Sequence, residues 1–131
     1  MVSNKLPKLL KLDSADNGNI FFFQNKYFLK KTKRIFIINQ KKQIIRGNHA
    51  HKKAFQFLIA INKKISFTLY NGKIKKNYNL NKLKNAILIP PMIWLEKLQI
   101  PTNGILLVMT NEYFNENEYI RNIKDYENTI K

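Results

Sequence analysis

The sequence predicts an all-β sandwich or barrel followed by a short C-terminal helix. Three features carry this reading. Apolar runs of four to eight residues recur between turn signals, at 20–23, 34–38, 54–61, 65–70, 86–89 and 104–110, the spacing expected of a many-stranded β-domain. One run alternates strictly and leads into Asn-Gly, and another is stopped by two prolines.

In chain order, Ile20, Phe21, Phe22 and Phe23 open the series with β-prone side chains. Lys30, Lys31, Lys33 and Arg34 lead directly into the second run. In 65–70, Ile65, Phe67 and Leu69 alternate with Ser66, Thr68 and Tyr70, so one face is buried. Asn71-Gly72 then supplies the preferred residues of a type I′ hairpin turn, and 73–80 forms the return strand. Pro90-Pro91 ends the run at Ile89, because proline cannot donate to a ladder, and places 92–95 at a rim or edge. Over 117–130, Tyr119, Ile120, Ile123 and Tyr126 recur at helical spacing behind acidic residues, which predicts an amphipathic helix.

A chain of 131 residues without a linker-like stretch is expected to form one domain over 1–131. With 44% hydrophobic and 12% aromatic residues it can bury a core without help from a metal or disulfide. The lack of cysteine excludes thiolate zinc sites, disulfides and a Cys nucleophile. Residues 1–12 carry Lys5, Lys8 and Lys11 but no signal-type apolar run, and nothing resembles a membrane span. A cytoplasmic location and no membrane association are therefore expected. The net charge of +16 has two readings: a nucleic-acid or anionic-membrane surface, or lysines dispersed over a solvated exterior. The lysines form no long block, which favours the second reading and an expectation of no nucleic-acid partner. The same field would attract a nucleotide diphosphate.

His49 and His51 are the chain's two histidines, spaced two apart before an apolar run and preceded by Arg46-Gly47. On an extended segment both rings project to one side, roughly 7 Å apart at their roots. His-x-His on a strand can begin a metal site, but a catalytic metal needs a third protein ligand. Five residues after His51 stands Gln56, a poor ligand, and the nearest carboxylate beyond the Pro-Pro turn is Glu96. No metal and no cofactor are expected. Imidazoles then remain the groups suited to taking and returning protons near neutrality. Gly-x-Ser-x-Gly elbows, paired glycosidase carboxylates and Gly-rich phosphate loops are absent.

At this point the chain resembles a known family, the cupin-fold dTDP-sugar 3,4-ketoisomerases. The resemblance lies in Arg46-Gly47-Asn48-His49-Ala50-His51-Lys52-Lys53 with Gln56, in Lys33-Arg34-Ile35-Phe36 and in Ile89-Pro90-Pro91-Met92-Ile93-Trp94. It continues in Asn111-Glu112-Tyr113-Phe114 and Glu118-Tyr119-Ile120-Arg121. It implies a single cupin (jelly-roll) β-barrel that moves the ketone of dTDP-4-keto-6-deoxyglucose from C4 to C3 without a metal. It further implies a homodimer, often with strand exchange, whose product feeds 3-amino-sugar synthesis for surface glycans. Carried over, His49 and His51 are the catalytic acid/base pair. Arg34, Arg46, Lys52, Gln56 and Trp94 are the substrate-binding candidates, with the arginines suited to the sugar or the diphosphate.

Three departures stand against the family pattern: Ile37 where a Tyr is common, Leu95 where His or Arg often follows the Trp, and Asp16-Asn17-Gly18 in place of Asp-x-Arg-Gly. Two other functions remain open. A dTDP-4-keto-sugar 3,5-epimerase would need a carboxylate partner for its histidine, and the sequence shows no obvious one. A non-enzymatic cupin that binds sugar or nucleic acid would not need the histidines at all.

Overall fold

The computed structural model describes residues 5–131, so the first four residues of the 1–12 stretch lie outside it. The strands are β1 (Leu10–Lys11), β2 (Asp13–Ala15), β3 (Ile20–Phe22), β4 (Arg34–Asn39), β5 (Ile44–Arg46), β6 (Ala50–His51) and β7 (Gln56–Ala60). There follow β8 (Ile65–Tyr70), β9 (Lys75–Leu80), β10 (Asn85–Ile89), β11 (Trp94–Ile100), β12 (Ile105–Thr110), β13 (Tyr119–Ile120) and the helix α1 (Ile123–Thr129). Two antiparallel sheets face each other, one in the order β1-β10-β7-β12-β4 and the other β5-β11-β8-β9. This is the jelly-roll expected from the resemblance, built as a sandwich open at one end.

Period-2 alternation decides what each strand buries. From β7, β10 and β12, Leu58, Ala60, Ile87, Leu106 and Val108 point inward. They meet Ile65, Phe67, Leu69, Tyr78, Leu80, Leu98 and Ile100 of the opposite sheet. Phe67 and Tyr78 stack with ring centroids 5.4 Å apart. The alternate residues of the larger sheet face outward, where Phe57, Ile59 and Met109 pack beneath Leu12, Phe23 and Phe28.

Two local expectations change. The β8–β9 hairpin forms, but its register joins Tyr70 to Lys75, so the loop is longer than a two-residue type I′ turn. Asn71 stays outside the left-handed region and its Oδ1 instead accepts the backbone N–H of Lys73 and Ile74. Gly72, at φ +94°, supplies the left-handed residue. The C-terminal helix is shorter than the 117–130 spacing suggested. Tyr119 and Ile120 are extended and pair with His51 and Ala50. The helix begins at Asn122, whose side chain accepts from the N–H groups of Lys124 and Asp125. Tyr126 then plugs the sandwich, fully buried, and donates its hydroxyl to the carbonyls of Tyr70 and Met92.

Candidate active site

The histidine segment is positioned by a close approach between two strands. Gly47, at φ +105°, lies so near β11 that a Cβ there would sit 3.1 Å from the Leu95 carbonyl oxygen and 3.2 Å from the Glu96 Cα. Only glycine combines that conformation with that proximity. The neighbouring part of β11 is irregular, with Lys97 at φ +54° and a register shift between Glu96 and Gln99. His49 bridges to Leu95 through Leu95 N–H to the His49 carbonyl, 2.8 Å, and His49 N–H to the Leu95 carbonyl, 3.2 Å. The Arg-Gly-Asn-His run thus turns around the edge of β11 and delivers both Arg46 and His49 to the space between the sheets.

That space is a cavity of about 250 Å³. Phe36, Ile38, Leu58 and Val108 form one wall, while Arg46, His49 and Leu95 form the other, and Tyr119 and Arg121 line it from the C-terminal segment. The His49 and His51 rings meet edge to face with centroids 5.0 Å apart, on one side of the strand as the spacing predicted. Tyr119 packs on both, 5.4 Å from His49 and 4.4 Å from His51. Arg121 lies over the Tyr119 ring at 4.3 Å and forms a bidentate pair with Glu116.

Electrostatics keep both imidazoles neutral near pH 7. Burial, reinforced by the neighbouring His51, pushes His49 down to about 4, against a weaker opposing hydrogen bond to the Gly47 backbone. Burial likewise lowers His51, while Glu118 pulls the other way. His51 Nδ1 lies 2.7 Å from Glu118 Oε1. The other carboxylate oxygen accepts the N–H of Lys53 at 2.7 Å and of Ala54 at 3.0 Å. Burial alone would raise the Glu118 carboxyl, but these hydrogen bonds outweigh it and hold it below its ordinary value. An ionised carboxylate therefore stands behind one of the two rings. His51 Nε2, Arg34 Nε and Thr110 Oγ1 are buried without a hydrogen-bond partner among the described residues.

The family described as "FdtA: WxcM-like, C-terminal" matches residues 3–131. The chain belongs to this family. Among this FdtA-family member's relatives, a TDP-4-oxo-6-deoxy-alpha-D-glucose-3,4-oxoisomerase of Aneurinibacillus thermoaerophilus is 25% identical, over 98% of this chain and 94% of that one. The crystal structure of QdtA, a sugar 3,4-ketoisomerase of Thermoanaerobacterium thermosaccharolyticum in complex with TDP, shares 30% identity and superposes with a TM-score of 0.81. It covers 95% of this chain and 93% of its own. A mutant of QdtA has been crystallised with TDP-4-keto-6-deoxyglucose. The WlaRB TDP-quinovose 3,4-ketoisomerase of Campylobacter jejuni superposes with a TM-score of 0.82 at 26% identity, covering 95% and 99%.

In this FdtA-family member the expected site residues divide into three groups. His49, Arg46 and Gln56 line the cavity. Arg46 stands at its mouth, its Nε donating to Gln40 Oε1 at 2.8 Å. His51 and Arg34 lie just behind the lining, Arg34 with its guanidinium between the Phe36 and Phe114 rings at 5.1 and 5.6 Å. Lys52 and Trp94 are elsewhere. Lys52 borders a separate recess with Tyr113 and Asn117. Trp94 is 3% exposed, packed with Ala50, Ile120 and Tyr126, and donates Nε1–H to Glu96 at 3.1 Å. A Trp after a Pro-Pro turn can serve as a ring platform or as a core plug, and here the geometry gives the plug. Trp94 and Leu95 pair with Tyr70 and Leu69 of β8, and Leu95 also bridges to His49, so they are not on a sheet edge, but Leu95 does line the cavity. Glu96 also pairs with Lys75 at 3.2 Å, away from the histidines. Among the described residues no three His, Cys, Asp or Glu side chains gather as a metal-binding group.

Two of the departures acquire different weights. Leu95 does line the cavity, so a polar group is missing there. Ile37 is 61% exposed on the outward face, whereas Phe36 and Ile38 face the cavity. A one-residue offset along a strand reverses the face, so a phenol at 37 would point away from this cavity. Sequence reasoning missed Glu118, Tyr119 and Arg121 as site residues because it placed them on a helix. Asn122, a good N-cap with acidic Asp125 three residues on, was the available sign that the helix starts later.

Proposed function

We propose that the chain is a dTDP-sugar 3,4-ketoisomerase that moves the ketone of dTDP-4-keto-6-deoxyglucose from C4 to C3. The observation that carries this is a pair of neutral imidazoles, 5.0 Å apart, against a cavity with arginines at its mouth. Relatives aligned over nearly the whole chain are themselves 3,4-ketoisomerases or oxoisomerases.

The C3 proton is acidified by the adjacent C4 carbonyl, and one imidazole removes it. The electron pair left at C3 forms the C3=C4 double bond and places negative charge on the C4 oxygen. A proton then enters at C4, the C3 hydroxyl gives up its own, and the C4 oxygen takes a proton to become a hydroxyl, leaving the ketone at C3. Atoms and electrons balance within the sugar and the histidine pair. Arg34, Arg46 and Arg121 provide positive charge for the anionic intermediate and the diphosphate. We read the dispersed +16 charge in the same way, as a field that draws in an anionic nucleotide.

The test is the product formed from dTDP-4-keto-6-deoxyglucose in deuterated water, read by NMR. The expected product has its ketone at C3 and solvent deuterium at C4. Label at C3 and C5 with an unmoved ketone would instead make the protein an epimerase. The earlier ground against epimerisation, the lack of a carboxylate partner, no longer stands because Glu118 is that partner. The choice rests on the relatives and on this experiment.

We further propose that two copies associate through the outward face of the larger sheet, where Ile35 and Ile37 are 58% and 61% exposed beside Phe21 and Phe22. The N-terminal strand β1 pairs with β10 through Leu10 and Ala86, a register that exchange between copies would preserve. In this reading the whole of 1–131 works as one cytoplasmic cupin unit, and an aminotransferase making a 3-amino sugar for surface glycans consumes its product.

A further inference from the structure

We infer that Glu118 is a positioning residue that fixes which nitrogen of His51 carries hydrogen, leaving Nε2 as the proton acceptor. This rests on the isomerase reading for its consequence in catalysis, but not for its geometry. An ionised carboxylate can only accept, so the 2.7 Å contact places the hydrogen on His51 Nδ1. Neutral His51 then presents a bare lone pair at Nε2, the ring atom that is buried and lacks a protein partner. Among the described residues no carboxylate hydrogen-bonds to His49, which lines the cavity more directly. The two imidazoles are therefore not equivalent: His51 is hydrogen-bonded directly to a carboxylate, whereas Glu118 acts on His49 only through space and as the weakest of its influences.

Glu118 is itself held in place. Its Oε2 takes two backbone N–H groups, from Lys53 and Ala54, and its own carbonyl accepts from Lys52 N–H at 2.9 Å. This clamp determines what an amide would do in its position. In Glu118→Gln the NH₂ group cannot face the two backbone donors, so the amide carbonyl turns to them and NH₂ turns to His51. Nδ1 must then accept, the hydrogen moves to Nε2, and the ring presents a donor where an acceptor is needed. The variant preserves size and packing while reversing the tautomer, as in other imidazole–carboxylate pairs.

The experiment is long-range ¹H–¹⁵N NMR of the wild type and Glu118→Gln at neutral pH, with kcat and the pH profile of kcat/KM measured alongside. The expected wild-type spectrum shows His51 protonated at Nδ1, and the variant shows it protonated at Nε2. The kcat of the variant is expected to fall by about 10²- to 10⁴-fold. Its acid limb moves to lower pH because the carboxylate no longer favours the imidazolium. A purely structural role would leave that limb in place. A wild-type ring protonated at Nε2, or a folded variant with kcat within threefold of wild type, would overturn the inference. The nitrogen shifts need no substrate, so a wild type that fails to isomerise the sugar sinks the functional reading while the tautomer is still decided.

Discussion

The larger sheet uses the same three strands for two opposite purposes. On its inward face Phe36, Val108 and Leu58 lie in one row, and the next row toward the open end is Arg34, Thr110 and Gln56. On its outward face Ile35, Ile37, Phe57, Ile59, Leu107 and Met109 form an apolar patch. The inward face changes character near the histidines, while the outward face stays apolar until Asn39 at the far end of β4. A row of polar side chains inside a sandwich is costly unless something pairs with it, whereas an exposed apolar patch costs least when covered by another apolar surface. The first arrangement suits a polar ligand and the second a protein surface.

The largest expected effect lies on the inward side. His51→Asn should lower kcat by about a thousandfold, within the usual range for loss of a general base, while the thermal midpoint stays within a few degrees. Unchanged turnover would remove proton transfer from the inner face altogether. A smaller effect concerns stability. His49 titrates at about 4 in the folded chain against an ordinary 6.5. Between those values the unfolded chain binds a proton that the folded chain refuses, so this contribution is fully present above 6.5 and drains away as pH falls toward 4. Lowering the pH from about 7 to about 5 should therefore cost about 2 kcal/mol more in the wild type than in His49→Gln. Urea unfolding at the two pH values measures it, and equal losses would mean that His49 is not held neutral by burial. The smallest effect on stability belongs to the outward face. Ile37→Lys should change unfolding free energy by no more than about 0.5 kcal/mol, as exposed positions do; by the proposed association the wild type is expected to sediment as a dimer and the variant as a monomer, and a wild-type monomer would refute that association. A dimer that survives the charge would place the subunit contact elsewhere.

Much of this architecture could be read from the residues. The run 65–70 became β8 with the expected bounds and 34–38 became β4 with one further residue, because alternation and β-branched side chains act locally. The histidine pair was legible for the same reason, being two positions apart on one extended segment that ends in β6. What could not be read were contacts between distant segments. Glu118 lies 67 residues from His51, and its approach depends on Tyr119 and Ile120 pairing with β6, a choice made by tertiary packing over helical spacing. Trp94 stood among the binding candidates through the family resemblance and its place after the Pro-Pro turn, with a core plug as the equal alternative, and the buried Tyr126 claimed its ring. The Asn-Gly turn failed as a type I′ because Asn71 turned its side chain onto the backbone, a competition that Asn wins readily in turns.

The separation between His51 and Glu118 also sets an order of events in the life of the chain. Every strand of the two sheets precedes the segment bearing Glu118 in the chain, so the sandwich is specified before the carboxylate that completes the site. The carboxylate belongs, with Tyr119 and Arg121, to the last part of the site in chain order, and a nick between residues 111 and 117 is expected to lower activity more than it disturbs the two sheets.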